Sequence, residues 1–235
     1  MKSPTKLLKR NEAGRVRSFF RAIANLSNQL QGIELGTHLI KHAVKRLKDE
    51  FPVINTFSTL SPIPGFRTWL LSRIQASKRD EFSEILKPDE KDTLMGLLMT
   101  NTSDKNKVDG TNVDFLDRLH YVISSNGWAQ DDKIVNALQT PLMRLCAQYL
   151  YLEKRRNLAL NSVANFHLRN GATLWRINWL ADLSPRGLTN SCGLMVNYRY
   201  FIDKLEENSV SYQEVFQVSA GDQVIQLAAQ SKTLL

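Results

Sequence analysis

The apolar residues Leu35, Leu39, Ile40, Ala43, Val44, Leu47 and Phe51 recur at helical spacing, with Lys41, Lys45 and Lys48 on the opposite side. This pattern predicts an amphipathic helix from Gly36 that Pro52 closes. Residues 53–60, Val-Ile-Asn-Thr-Phe-Ser-Thr-Leu, are rich in β-branched side chains and predict a strand. A Ser61-Pro62-Ile63-Pro64-Gly65 turn and a helix over 66–75 follow. Residues 80–160 read as helical, interrupted at 101–112 by an Asp/Asn/Lys/Gly-rich stretch expected to be a mobile loop. The longest helix is expected to start after Thr140-Pro141, proline suiting the first helical position, and to run to about Arg156. Strands are expected at 163–169 and 172–179, then a helix from about Gly187 to Leu205. The class is α/β or α+β with a helical insertion over about 80–157.

Composition narrows the function classes. The chain of 235 residues is 43% hydrophobic, enough to fill a core. No apolar run approaches the roughly 18 residues a membrane span needs. Cys146 and Cys192 lie far apart in segments read as helical, which suits buried thiols. The four histidines, His38, His42, His120 and His167, show neither CxxC nor HExxH spacing, so no metal is expected. His38 and His42 share one helix face with no third ligand near them in sequence, and read as solvated.

Of the net charge of +8, seven lie in residues 1–50, where eleven Lys/Arg face four Asp/Glu. Such a segment suits nucleic acid, an anionic surface or a phosphate-rich small molecule. No finger, RNP-like strand or heptad-backed basic region supports the first of these, so no nucleic-acid partner is expected. Residues 1 to about 13 are polar, basic and expected to be disordered. Residues 15–30, with Val16, Phe19, Phe20 and Ile23, could form a helix or a strand. Glu12 stands alone as an acid in this leader, which gives it some features of a mitochondrial transit peptide, without a clear cleavage signal.

Three segments carry candidate chemistry. Gln31-Gly32-Ile33-Glu34-Leu35-Gly36-Thr37 precedes the first amphipathic helix, where small residues and free N–H groups could hold an anion; a plain helix start is the alternative. Ser61 stands between strand and turn, as a turn-forming hydroxyl or a reactive one. No Gly-x-Ser-x-Gly elbow surrounds it. His167 is read near a strand end beside the Asn170-Gly171 turn, either as a satisfied core histidine or as a group a substrate meets. Tyr200 could hydrogen-bond that pair or anchor a helix. Trp175, Trp179, Tyr198 and Phe201 read as core. Arg176 and Arg186 could contact phosphate or carboxylate.

Three blocks in order carry a family resemblance: Phe57-Ser58-Thr59-Leu60-Ser61-Pro62-Ile63-Pro64-Gly65-Phe66, Asn165-Phe166-His167-Leu168-Arg169-Asn170-Gly171-Ala172, and Ser191-Cys192-Gly193-Leu194-Met195-Val196-Asn197-Tyr198-Arg199-Tyr200-Phe201. Together they resemble the malonyl-CoA decarboxylases. The resemblance implies an acetyl-CoA N-acyltransferase-like mixed sheet flanked by helices. It implies that Gln31, Gly32, Ile33, Glu34, Leu35, Gly36 and Thr37 bind the pyrophosphate of coenzyme A. Read from Gln29, the generic acyltransferase pattern is broken, because Glu34 stands where a glycine or alanine belongs. Ser61 and His167 are implied as the catalytic and substrate-binding pair. The implied reaction turns malonyl-CoA into acetyl-CoA and CO2. The thioester is itself the electron sink, so no cofactor is implied beyond the coenzyme A of the substrate.

The resemblance starts near Gln31 and leaves residues 1–26 as a poorly matching leader ahead of a catalytic domain over 27–235. It implies that an N-terminal helical oligomerisation domain and the opening strands of the acyltransferase-like sheet are missing. An exposed sheet edge, poor solubility or weak activity would then be expected. Homo-oligomers are implied only for the full-length form. The C-terminal Ser231-Lys232-Thr233-Leu234-Leu235 differs from the peroxisomal Ser-Lys-Leu, so a cytoplasmic or mitochondrial location is expected. The rival readings are a generic acyl-CoA N-acyltransferase and an inactive CoA-binding or partner-binding fragment.

Overall fold

The computed structural model describes residues 56–79, 85–100 and 114–232, with 42, 44–46, 48–50 and 52. The predicted first helix is seen in part: 42, 44–46 and 48–50 are helical, Val44 is buried, and His42, Lys45 and Lys48 are exposed, as the pattern requires. His38, Gln31 to Thr37 and the 101–112 stretch lie outside the described residues.

The chain divides into two compact units. The first draws its described residues from Met1–Ser61, Lys154–Arg176 and Val196–Gly221; the second draws its own from Pro62–Glu153, Ile177–Met195 and Asp222–Leu235. The strands are β1 (Phe57–Ser58), β2 (Ser61–Pro62), β3 (Lys154–Arg155), β4 (Leu158–Ala159), β5 (Thr173–Asn178) and β6 (Met195–Tyr200). Strand β6 is the hub. It pairs antiparallel with β1 in the register Phe57↔Tyr200 and Ser58↔Arg199, and also pairs with β2 and β5. Strands β3 and β4 form a separate hairpin whose turn, Arg156 and Asn157, has positive φ at both residues.

Helices α1 (Phe66–Ser77), α2 (Pro88–Thr100), α3 (Phe115–Ser124) and α4 (Asp132–Ala147) belong to the second unit. Their core includes Leu70, Ile74, Leu94, Leu119, Leu138, Leu142 and Leu145. The mixed class of helix and strand is as predicted, but α4 starts nine residues before Pro141. Asp131 caps it by accepting from the N–H groups of Lys133 and Ile134. Pro141 inside the helix forfeits a hydrogen bond, and the buried stripe of Leu138, Leu142 and Leu145 around it offsets that loss. The helix then widens to a π turn over Gln148–Leu152. Arg144, 1% exposed, holds both carboxylate oxygens of Glu90 at 3.1 and 2.5 Å and the Ile85 carbonyl at 3.0 Å.

Two further expectations are corrected in the first unit and its neighbour. Residues 163–169 are not a strand: α5 (Ser162–Arg169) forms there. Val163, Ala164, His167 and Leu168 are its buried positions, a helical spacing. Asn161 caps it by accepting from Ala164 N–H at 2.8 Å. The helix expected over 187–205 is α6 (Pro185–Ser191) followed by β6. It stops at Cys192 and Gly193, whose φ values of 52° and 76° are left-handed. After them Val196, Tyr198 and Tyr200 are buried in alternation, the period of a strand. Helices α7 (Leu205–Glu214) and α8 (Asp222–Lys232) complete the described chain.

The Asn170-Gly171 pair, expected as a turn beside a strand, is the C-cap of α5. Ala172 N–H donates to His167 O at 3.1 Å and Gly171 N–H to Leu168 O at 3.0 Å, the two bonds of a Schellman motif. Gly171 has φ +76°, and a Cβ there would lie 2.0 Å from Leu205 O. Gly171→Ala is therefore expected to cost well over the roughly 1–2 kcal/mol of left-handed strain alone. Gly96, inside α2 with nothing within 4 Å of an added Cβ, supplies the contrast. Gly96→Ala should raise stability by up to about 1 kcal/mol, with both variants compared by urea titration. Equal effects of the two substitutions would contradict this account.

Candidate active site

The site lies within the first unit and is built by two periodicities. In β6, residues two apart share a face, so Tyr198 and Tyr200 present their rings to the same side. His167 comes from the last turn of α5, with its own carbonyl held by the Schellman bond from Ala172. Its imidazole lies over the Tyr198 ring, with centroids 4.3 Å apart and planes 21° apart. Nδ1 is 2.7 Å from the Tyr200 hydroxyl, and Nε2 is 3.3 Å from Ser61 Oγ. Ser61 and His167, 106 residues apart in sequence, are thus brought together.

Ser61 lies in β2 rather than in the turn expected for it. Two residues earlier, Thr59 faces the same side and its Oγ1 accepts from Ser61 Oγ at 2.9 Å. Thr59 is fixed in turn: its N–H donates to Tyr198 O at 2.9 Å, and its Oγ1 accepts from Tyr198 N–H at 3.2 Å. Asn197 Nδ2 also donates to Thr59 O. Thr59 belongs to the Phe57–Phe66 block, yet sequence reasoning gave it no role. Two hydroxyls two residues apart, one near the end of the predicted strand and one just beyond it, were the available signal. Tyr198, expected only as core, proves to be core and to be the ring on which the histidine lies.

All of these side chains are buried: Ser61 and His167 are each 1% exposed, Tyr200 2% and Thr59 4%. Burial disfavours the charged forms. It lowers the pKa of His167 from 6.5 to about 3 and raises that of the Tyr200 phenol. At neutral pH the imidazole is uncharged and the phenol keeps its proton. The arrangement is a continuous chain of exchangeable protons, Tyr200 to His167 to Ser61 to Thr59, in a dry environment.

Other expectations fare unevenly. Cys146 and Cys192 are buried free thiols, and burial pushes Cys192 up to about 12 despite the opposing Arg67 guanidinium. Trp175 is not core: it is 38% exposed on β5. The Arg199 guanidinium lies over its ring at 4.7 Å and over Phe201 at 4.4 Å, on the sheet face away from Tyr198 and Tyr200. Trp179 packs against Trp128 with ring centroids 6.1 Å apart. Arg176 and Arg186 are exposed. Among the described residues no cluster of three or more His, Cys, Asp or Glu could hold a metal ion. None of their helices is long and apolar enough to cross a membrane.

The family model described as "Malonyl-CoA decarboxylase C-terminal domain" matches residues 5–234. The chain belongs to that family. The match takes in residues ahead of Gln31, where the resemblance was expected to start. The chain is 47% identical over 211 residues to the mitochondrial malonyl-CoA decarboxylase of Rattus norvegicus, covering 90% of this chain and 40% of that protein. It is 45% identical over 227 residues to the mitochondrial enzyme of Mus musculus, covering 97% and 43%. The crystal structure of malonyl-CoA decarboxylase from Rhodopseudomonas palustris superposes with a TM-score of 0.61 at 35% identity, covering 84% of this chain and 39% of that one. That from Agrobacterium vitis gives 0.64 at 31%, covering 84% and 42%. The chain therefore spans about two-fifths of the length of the curated relatives it matches.

The burial of His167 has a measurable sign. Its folded pKa lies below the unfolded value, so the unfolded chain binds the proton first as pH falls. The contribution is fully present above about 6.5, is lost as pH falls towards 3, and is constant below that. The slope assignable to this residue approaches about 1.4 kcal/mol per pH unit within the window. Urea titrations at pH 7, 5.5 and 4.5 should show His167→Gln losing less stability on acidification than the parent chain. Parallel pH dependences would mean that the imidazole is not buried uncharged.

Proposed function

We propose that this chain carries the site at which malonyl-CoA loses CO2 to give acetyl-CoA. The observation that carries the reading is the buried hydrogen-bonded run of Ser61, His167 and Tyr200 in a chain of this family. Breaking the bond between the α-carbon and the carboxylate leaves an electron pair shared between that carbon and the thioester oxygen. A hydrogen-bond donor near the oxygen stabilises this enolate, and a proton delivered to the carbon completes the product. His167 is the proton donor, Ser61 holds the malonyl head beside it, and Tyr200 fixes the imidazole from the far side. With the pair almost fully buried, entry of substrate requires the side chains over it to move. Once inside, the exclusion of water strengthens each polar contact with the enolate.

The thioester accepts the electron pair, so the reaction requires no metal or prosthetic group. We assign coenzyme A binding to Gln31 to Thr37, whose glycines and place ahead of the helix predicted from the sequence suit a pyrophosphate. The relatives' mitochondrial names favour the mitochondrial matrix as location.

Incubation of the purified chain with malonyl-CoA in D2O should give acetyl-CoA carrying one deuterium on its methyl group, with or without an amine acceptor. Ser61→Ala and His167→Gln should lower turnover by about 100-fold or more, the usual scale for a lost acid–base group, while their circular dichroism is unchanged. A folded His167→Gln variant with full turnover, or an N-acylated amine as the product, would overturn the reading.

A further inference from the structure

The hydrogen bonds around Ser61 have a direction. A serine hydroxyl has one proton, and the geometry at Thr59 Oγ1 makes Thr59 the acceptor of it, at 2.9 Å. Thr59 Oγ1 also accepts the Tyr198 N–H, so it sits as an acceptor between two donors. With its proton given to Thr59, Ser61 Oγ can only accept from His167 Nε2, which must then bear the ring hydrogen. An uncharged imidazole with its hydrogen on Nε2 leaves Nδ1 bare, and the phenol of Tyr200 donates to it. Each bond from Tyr200 to Thr59 then has one donor and one acceptor.

We propose that Thr59 is a positioning residue for this site: by taking the Ser61 proton it sets His167 as the Nε2–H tautomer, with the ring donating to Ser61 Oγ. The role in turnover rests on the decarboxylation reading above, but the tautomer does not. The assignment reverses the bond found where a histidine activates a serine nucleophile, in which the hydroxyl donates to the ring. Thr59 reaches no reacting atom; it acts through the direction of one hydroxyl. Its backbone makes that direction stable. The N–H to Tyr198 O and the carbonyl to Asn197 Nδ2 tie Thr59 to β6, the strand that supplies both tyrosines.

The test is the tautomer of His167 in the 235-residue chain, read from the ¹⁵N shifts of labelled imidazoles and assigned by the signal lost in His167→Gln. The parent should show hydrogen on Nε2. Thr59→Val keeps the shape but removes the acceptor, so Ser61 turns its proton to Nε2 and the ring hydrogen moves to Nδ1. Thr59→Ser should keep the Nε2–H form. In the decarboxylase assay Thr59→Val should lose about tenfold or more in kcat with little change in KM, and Thr59→Ser should recover most of it. Hydrogen on Nδ1 in the parent chain overturns the proposal without need of any variant, as does an unchanged tautomer in folded Thr59→Val. A chain that shows the tautomer switch but forms no acetyl-CoA supports the positioning of the ring and defeats the decarboxylation reading instead.

Discussion

An uncharged imidazole in a dry pocket is the constraint on which the first unit depends. The His167 ring is held on three sides: one face by Tyr198, one nitrogen by Tyr200 and the other nitrogen by Ser61. The backbone beneath it is fixed as well, because its carbonyl takes one of the two bonds that end α5. That ending requires a left-handed residue with no Cβ, and Gly171 supplies it. The histidine's place thus follows from a helix cap, its orientation from a strand two residues per repeat, and its charge from burial. None of these would hold it alone.

Much of the site was legible in the sequence, but less of the secondary structure around it. The pairing of Ser61 with His167 was implied by the family resemblance that their motif blocks carry, and not by either residue alone. The helix under His167 could not be read by alternation, since Ala164, Phe166 and Leu168 alternate with the polar Asn165, His167 and Arg169 as in a strand, while burial follows Val163, Ala164, His167 and Leu168. Asn161 and the Asn170-Gly171 pair were the stronger signals, being a start and a stop for one short helix. In the same way Cys192-Gly193 hid the boundary between α6 and β6. A cysteine is seldom left-handed, so nothing in its identity announced the break. Pro141 misled in the opposite sense. Its weight as a helix breaker is about 3 kcal/mol, and a buried stripe of leucines exceeds that.

The second unit handles its buried polar groups differently. Arg144 and Glu90 are both charged groups removed from water, and they persist because the guanidinium is met on several sides: two carboxylate oxygens, the Ile85 carbonyl and the Ser231 hydroxyl. Among the described residues His167 forms no ion pair. The ion pair is met by polar groups on several sides, whereas burial among hydroxyls and aromatic rings holds the imidazole uncharged. The two sites show one rule with opposite results, and only the second leaves a proton free to be exchanged along hydroxyls.

That outcome suits protonation of carbon better than a charged ring would. A pKa drawn from 6.5 down to about 3 corresponds to roughly 5 kcal/mol against the imidazolium in this pocket. A mechanism that began with a charged ring would bear that cost before any bond broke. In the decarboxylation proposed for this chain, the thioester enolate would be a far stronger base than neutral imidazole, so an N–H donor without positive charge would suffice to protonate it. Loss of the proton would leave an anionic ring, and Tyr200, whose phenol burial holds in its protonated form, stands at Nδ1 to share its own. The direction set at Thr59 then matters more than acidity. In so dry a site, which atom carries the hydrogen is decided by the partners of each oxygen, and with Ser61 donating to Thr59 the ring hydrogen falls on Nε2.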